Sequence, residues 1–150
     1  MSAVRVVPPA AEHRADWEQL YAGYAAFYGV EQTAAMRATV WGWLHDDGHE
    51  VSGLMALDDR GRPVGLTHFR PFARPLAAST GGFLDDLFVD PAARGSGAAQ
   101  ALIDAVAAAG RARGWTVIRW ITAEDNYRGR AVYDRMAVKT KWLTYEIKLS

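Results

Sequence analysis

A chain of 150 residues, half of them hydrophobic and 11% aromatic, can bury one core and supports a single domain over 1–150. Its 17 basic and 17 acidic side chains cancel, which removes the positive field that long-range binding to nucleic acid or to an anionic membrane requires. With no cysteine the chain can form no disulfide, thiolate zinc site, iron–sulfur cluster or acyl-cysteine intermediate.

The first nine residues lack the long apolar run of a signal peptide, and no stretch approaches the roughly 18 apolar residues of a membrane span, so the expectation is a cytoplasmic protein. Residues 4–7 (Val-Arg-Val-Val) read as a strand that Pro8 and Pro9 stop, because neither has an N–H to donate. Trp17, Leu20, Tyr21, Tyr24, Ala25 and Phe27 recur at helical spacing and predict a helix over 10–28 that Gly29 ends. Met36, Val40, Trp41 and Leu44 predict a second helix over 31–46. The period then changes. Runs 51–57 and 64–72, joined by Asp58-Asp59-Arg60-Gly61-Arg62-Pro63, read as a hairpin, and 81–89 as a third extended run. An apolar stripe of Ala98, Leu102, Ile103, Val106 and Ala107 predicts a helix over 97–112. Strand 115–121, a short helix over 126–137 and a last strand over 142–149 complete the order β-α-α-β-β-β-α-β-α-β. That alternation predicts an α/β (α+β) fold with a mostly antiparallel sheet and helices on both faces.

Chemistry concentrates between the third extended run and the long helix, in Val89-Asp90-Pro91-Ala92-Ala93-Arg94-Gly95-Ser96-Gly97-Ala98-Ala99. Two glycines permit a tight turn that gathers N–H groups at a helix start, and Arg94 adds a bidentate cation, a combination suited to a phosphate or pyrophosphate. A nucleoside-triphosphate loop would need Lys and then Ser or Thr after its last glycine, where Ala98 stands. A dinucleotide fingerprint would need Gly or Ala where Gln100 stands. The plain alternative is a glycine turn that only caps a helix.

Together with Asn126-Tyr127-Arg128-Gly129-Arg130-Ala131-Val132-Tyr133, this segment resembles the GNAT superfamily of N-acetyltransferases. The core of that family's acetyl-CoA motif is Arg or Gln, two residues, Gly, one residue, then Gly or Ala; Arg94, Gly97 and Ala99 fill it. Asn126, seven positions ahead of Tyr133, is similar to the family's next motif. One departure stands out: Ala137 and Val138 occupy the places where the family usually has a Gly-aromatic pair, which bears on the loop that shapes the acceptor pocket. The resemblance covers nearly the whole chain and implies a GNAT-like fold in which two strands splay and pantetheine slots between them.

It also implies roles for individual residues. Leu87, Phe88 and Val89 would offer backbone to pantetheine, with an N–H facing the thioester oxygen, and Arg94, Gly95, Ser96, Gly97, Ala98 and Ala99 would meet the pyrophosphate. Tyr133 would lie near the CoA sulfur, where a phenol can protonate the departing thiolate; the alternative for it is an ordinary core tyrosine. Strand alternation sends Asp85 and Asp86 to opposite faces. Polyamine-acetylating members of the family carry an acid at the place of Asp85, which is therefore the first choice for amine binding or water-mediated base. His68, placed beside Arg70 by alternation, is a weaker alternative base. His45 and His49 have the spacing of a zinc pair, but Gly48 breaks their helix and a helix-end role is preferred, so no metal is expected. Tyr24, Phe27, Tyr28, Trp41 and Trp43 read mostly as core, and one or two of these rings could face the acceptor.

The resulting expectation is transfer of the acetyl group of acetyl-CoA to a primary amine of a small molecule or protein by direct attack. Its rivals are an acyl-CoA-binding sensor domain without turnover and an enzyme of the same fold using a longer acyl group. Partners beyond acetyl-CoA and the amine are not indicated, although homodimers are common in the family.

Overall fold

The computed structural model describes residues 3–150. Five strands form one sheet in the order β1 (Arg5–Val7), β2 (Ser52–Leu57), β3 (Pro63–Arg74), β4 (Ser79–Val89), β5 (Ile118–Arg119). The first three junctions are antiparallel and β4–β5 is parallel. Four helices flank the sheet: α1 (Arg14–Phe27), α2 (Ala34–Leu44), α3 (Ala98–Ala112) and α4 (Tyr127–Met136). The expected mixed fold with a mostly antiparallel sheet is present.

Alternation along the strands divides the core in two. Met55, Leu57 and Leu66 point to one face and pack with Trp17, Leu20, Tyr21 and Trp41 of α1 and α2. Ala56 and Phe69 point to the other, where α3 supplies Ala98, Leu102, Ile103 and Val106. Each large apolar side chain buried in this way contributes about 1.5–3 kcal/mol, so α1 and α3 are held by packing more than by helix propensity. Local chemistry sets the helix starts: Thr33 Oγ1 accepts from Met36 N–H at 3.1 Å, and Asn126 Oδ1 from Gly129 N–H at 3.3 Å.

Three departures from the sequence expectation matter. First, the runs expected over 64–72 and 81–89 are longer, with β3 reaching Arg74 and β4 starting at Ser79; their cross-strand pairing carries the polar ends along. Second, the expected strand 115–121 contracts to Ile118–Arg119. Third, the expected strand over 142–149 pairs with nothing. Residues 138–150 form no hydrogen bond with the rest of the described chain, and Leu143, Tyr145, Ile147 and Leu149 stand exposed. Pattern alone makes a strand only where a partner edge is in reach.

Of the five aromatic residues expected in the core, Trp41 is buried and Tyr24 half-buried, while Phe27, Tyr28 and Trp43 are exposed.

Candidate active site

A bulge in β4 organises the site. Register runs His68↔Asp86 and then Phe69↔Leu84, so Asp85 is an extra residue with no partner on β3. The β4–β5 ladder ends at Phe83↔Arg119, two residues before it. A bulge bends its strand, and from Leu84 to Val89 the side of β4 that faced β5 is unpaired among the described residues. Upstream of the bulge the two strands are held close by what Gly82 lacks: a Cβ there would lie 2.3 Å from the Trp115 ring.

The bulge also resets which face each residue of β4 occupies. Leu84 packs with Phe69, Ile103 and Val106 on the α3 side, yet Asp86, two residues on, faces α1. There Asp86 Oδ2 accepts from Tyr21 O–H at 2.7 Å and from His68 Nδ1–H at 2.8 Å, and Trp17 Nε1–H donates to His68 Nε2 at 3.1 Å. An indole N–H can only donate, so His68 is the Nδ1–H tautomer with both nitrogens engaged. Burial would raise the Asp86 carboxyl, but the hydrogen bonds it accepts from His68 and Tyr21 hold it below the usual carboxylate range. Burial, with the Asp86 charge second, raises Tyr21 and Tyr24 well above the usual phenol value. His68, expected as a weaker alternative base, is 1% exposed and its lone pair is occupied by Trp17; it holds Asp86 instead.

Asp85 lies outside this network. Its carboxylate faces Arg70 Nε at 3.2 Å, and burial raises it above the ordinary carboxylate value despite that guanidinium. The two adjacent acids are thus shifted in opposite directions.

At the end of β4, Leu87 and Val89 pack toward α3 and Phe88 toward α1, edge-on to Tyr24 at 6.0 Å. The loop that follows turns at Gly95 (φ +82°) and Gly97 (φ +86°), a backbone region that strains any L side chain, and Gly97 starts α3. Ser96 Oγ accepts from Ala98 N–H at 3.3 Å. Among the described residues the N–H groups of Gly95, Gly97, Ala99 and Gln100 have no acceptor within the chain, and the positive end of α3 stands behind them. Arg94 makes no ion pair among the described residues. It lines an open cleft of about 550 Å³ with Gly23, Phe27, Arg62, Phe88 and Asp90.

Across the unpaired side of β4, α4 presents Tyr133, half-buried edge-on to Trp120 at 5.4 Å. Burial, with the neighbouring Tyr28 second, pushes its phenol up to about 12. Its O–H has no partner among the described residues, whereas Asn126 is committed at both ends: Nδ2 donates to Thr122 Oγ1 at 2.9 Å and Oδ1 caps α4. Asn126 therefore sets the direction of the helix that carries Tyr133. His45 caps α2 and its ring nitrogens face the carbonyls of Trp41 and Pro9, while His49 stacks on Trp43. No metal-binding cluster of three groups occurs among the described residues.

The loop and β4 are close to their expected form. The bulge and the Trp17–His68–Asp86–Tyr21 network are not visible in the sequence, where the one available signal is that Trp17 and Tyr21 share a helix face.

Residues 17–137 match the Acetyltransferase (GNAT) family. The chain is 24% identical over 144 residues to D-amino-acid N-acetyltransferase HPA3 of Saccharomyces cerevisiae, covering 95% of this chain and 88% of that protein. Among solved structures, the ribosomal-protein-alanine N-acetyltransferase of Brucella melitensis biovar Abortus 2308 superposes with a TM-score of 0.81 at 25% identity, over 98% of this chain and 99% of that one. Aminoglycoside N-acetyltransferase AAC(6')-Iy, solved in complex with CoA, shares the fold at a TM-score of 0.80 and 21% identity, over 100% of this chain and 97% of that one. An unpaired strand beside a glycine turn at a helix start, on a fold shared with these proteins, is what the family match leads one to find, and the chain belongs to the Acetyltransferase (GNAT) family and is an N-acetyltransferase.

Proposed function

We propose that this enzyme binds acetyl-CoA along the unpaired side of β4 and passes its acetyl group to a cationic primary amine. The observation that carries the reading is the juxtaposition of that free backbone edge, Leu84 to Val89, with four unsatisfied N–H groups at the start of α3. The residues fit the group. Leu87, Phe88 and Val89 supply backbone for an amide-bearing pantetheine arm, and Gly95, Ser96, Gly97, Ala98 and Ala99 with Arg94 supply a compact cationic cradle for a pyrophosphate. Acetyl-CoA supplies an activated thioester; the rest falls to the chain.

A β4 N–H beside the thioester oxygen would stabilise charge developing there without reorganising. Tyr133, its phenol held protonated by burial, would give its proton to the thiolate as the C–S bond breaks. Asp85, at the bulge beside the open edge, would draw the ammonium form of the acceptor and take its proton through water, its raised carboxyl suiting that task better than the depressed one of Asp86. A primary amine is the chemistry common to the relatives, which act on a D-amino acid, an aminoglycoside and a ribosomal-protein alanine.

Calorimetry on Gly97→Glu tests the assignment. A side chain at φ +86° and a carboxylate among the N–H groups should together abolish measurable acetyl-CoA binding; unchanged affinity in a folded variant would remove the loop from the site.

A further inference from the structure

Beyond His68 the sheet presents a row of side chains that begins at Asp85 and crosses three strands. His68, Arg70 and Phe72 alternate along β3 onto the face that meets Trp17 of α1. Gly82 and Ile118 face Trp115 on the α3 side, so their neighbours Phe83 and Arg119, paired across β4 and β5, turn to the α1 face as well. There the Arg70 guanidinium lies 5.1 Å from the Phe83 ring, Phe83 lies 6.3 Å from Phe72, and the Arg119 guanidinium lies 5.3 Å from Phe72. The row is open: Asp85 and Arg119 are exposed and both rings are only half-buried.

Its charges are unequal from end to end. At the near end Asp85 and Arg70 answer each other, with both carboxylate oxygens 3.2 Å from Arg70 Nε. At the far end Arg119 and Arg74 make no ion pair among the described residues, and they line an open cleft of about 370 Å³ with Phe72 and the exposed Leu76. A guanidinium resting on an aromatic ring keeps its N–H edge free for a carboxylate. The row is therefore an acid, an apolar middle and a cationic end that nothing in the chain neutralises.

We propose that the acceptor is an amine whose far end is a carboxylate, the two separated by an apolar spacer. The ammonium end is drawn to Asp85, the spacer lies on Phe83 and Phe72, and the carboxylate docks on Arg119 and Arg74. This rests on the assignment of Asp85 to the amine and specifies the rest of the acceptor. The spacer has a minimum length. Asp85 and Phe83 are two residues apart along β4, about 7 Å, which a chain of about five carbons spans. An α-amino acid, with its carboxylate two bonds from its nitrogen, cannot reach Arg119 from Asp85. A diamine or a longer polycation is the wrong complement, because its second ammonium would meet two guanidinium groups that already lack a counter-charge.

Initial rates of CoA release with ω-aminohexanoate, hexylamine and hexamethylenediamine compare one chain with an anionic, a neutral and a cationic end. ω-Aminohexanoate should lead the diamine about 10-fold in kcat/KM. The lead should shrink in about 1 M salt, where the Debye length falls to about 3 Å. Arg119→Glu/Arg74→Glu should invert the order, with circular dichroism and acetyl-CoA affinity recording that the variant is folded. Arg119→Gln, which keeps most of the side chain's bulk, should cut the lead to about 3-fold. A wild type that prefers the diamine, an order unmoved by these variants, or an equal fall in all three rates would overturn the carboxylate site and leave the amine reading at Asp85 standing. CoA release with none of the three chains would remove the amine reading and this site with it.

Discussion

The molecule has two ends that differ in how far they are complete. Around α1, Trp17 is 1% exposed, packs on Tyr21 and Trp41 at 5.2 and 5.1 Å, and donates to a histidine that is itself fully engaged. At the other end β5 has two residues, α4 buries none, and the chain runs out through an amphipathic segment in solvent. The contrast teaches that the α1 face of β4 is built by a finished core, whereas the α4 side, where Tyr133 sits, is only half-covered. Substitutions in the first region should register as stability, and substitutions in the second as kinetics.

The largest expected effect follows. Trp17→Ala removes a buried indole and the donor that fixes the His68 tautomer, and should cost about 3–5 kcal/mol in urea unfolding. A loss under about 1 kcal/mol would mean that the α1 face is no firmer than the α4 face. Tyr133→Phe should leave stability within about 0.5 kcal/mol and lower kcat about 10- to 1000-fold with acetyl-CoA affinity nearly unchanged. A thiol of ordinary pKa, about 8.5, is a tolerable leaving group, which makes the loss partial. Wild-type kcat with chemistry rate-limiting would make the tyrosine a packing residue.

Asp86→Asn probes the same boundary by pH. The folded-state carboxyl of Asp86 lies below its unfolded value, so its contribution is present above about pH 4 and is lost as acid protonates the folded form. Asn at 86 should cost about 1–2 kcal/mol near neutrality and nothing in strong acid. Asp85 is shifted upward, so its folded form disfavours the charge and the penalty is relieved as pH falls. Asp85→Asn should therefore leave the neutral stability unchanged or slightly higher while raising the KM for the amine. Unfolding titrations of both variants across the acid range separate the two signs, and matching curves would erase the distinction made by the bulge. The smallest effect belongs to Ile147→Ala: within about 0.5 kcal/mol, because that side chain touches almost nothing. A larger loss there would mean that the segment packs on its own domain.

Much of the fold and part of the site were legible in the residues. Helical periodicity over Trp17 to Phe27 and Ala98 to Ala107 is a local property, and both helices form where it places them. The glycines at 95 and 97 are read correctly because only their residue type relieves a positive φ. The sequence places Asn126 at the opening of the last helix, and α4 starts there, with Asn126 as its cap. All of these depend on neighbours within a few positions in the chain.

What the sequence leaves open is whatever depends on a distant partner. Alternation separates Asp85 from Asp86, but their partners are set only by the register of β3 against β4, which inserts one extra residue between His68↔Asp86 and Phe69↔Leu84 and ties one acid to Arg70 and the other to His68 and Tyr21. His68 reads as a free base until α1 brings Trp17 across 51 positions to occupy its lone pair. Residues 142–149 carry a strand's alternation without forming a strand, because alternation encodes which face wants burial and not whose edge provides it. Periodicity and turn chemistry are set within a few residues and so are fixed by sequence, whereas register, tautomer and strand partner are set by contacts between segments far apart in the chain, and only the tertiary structure decides them.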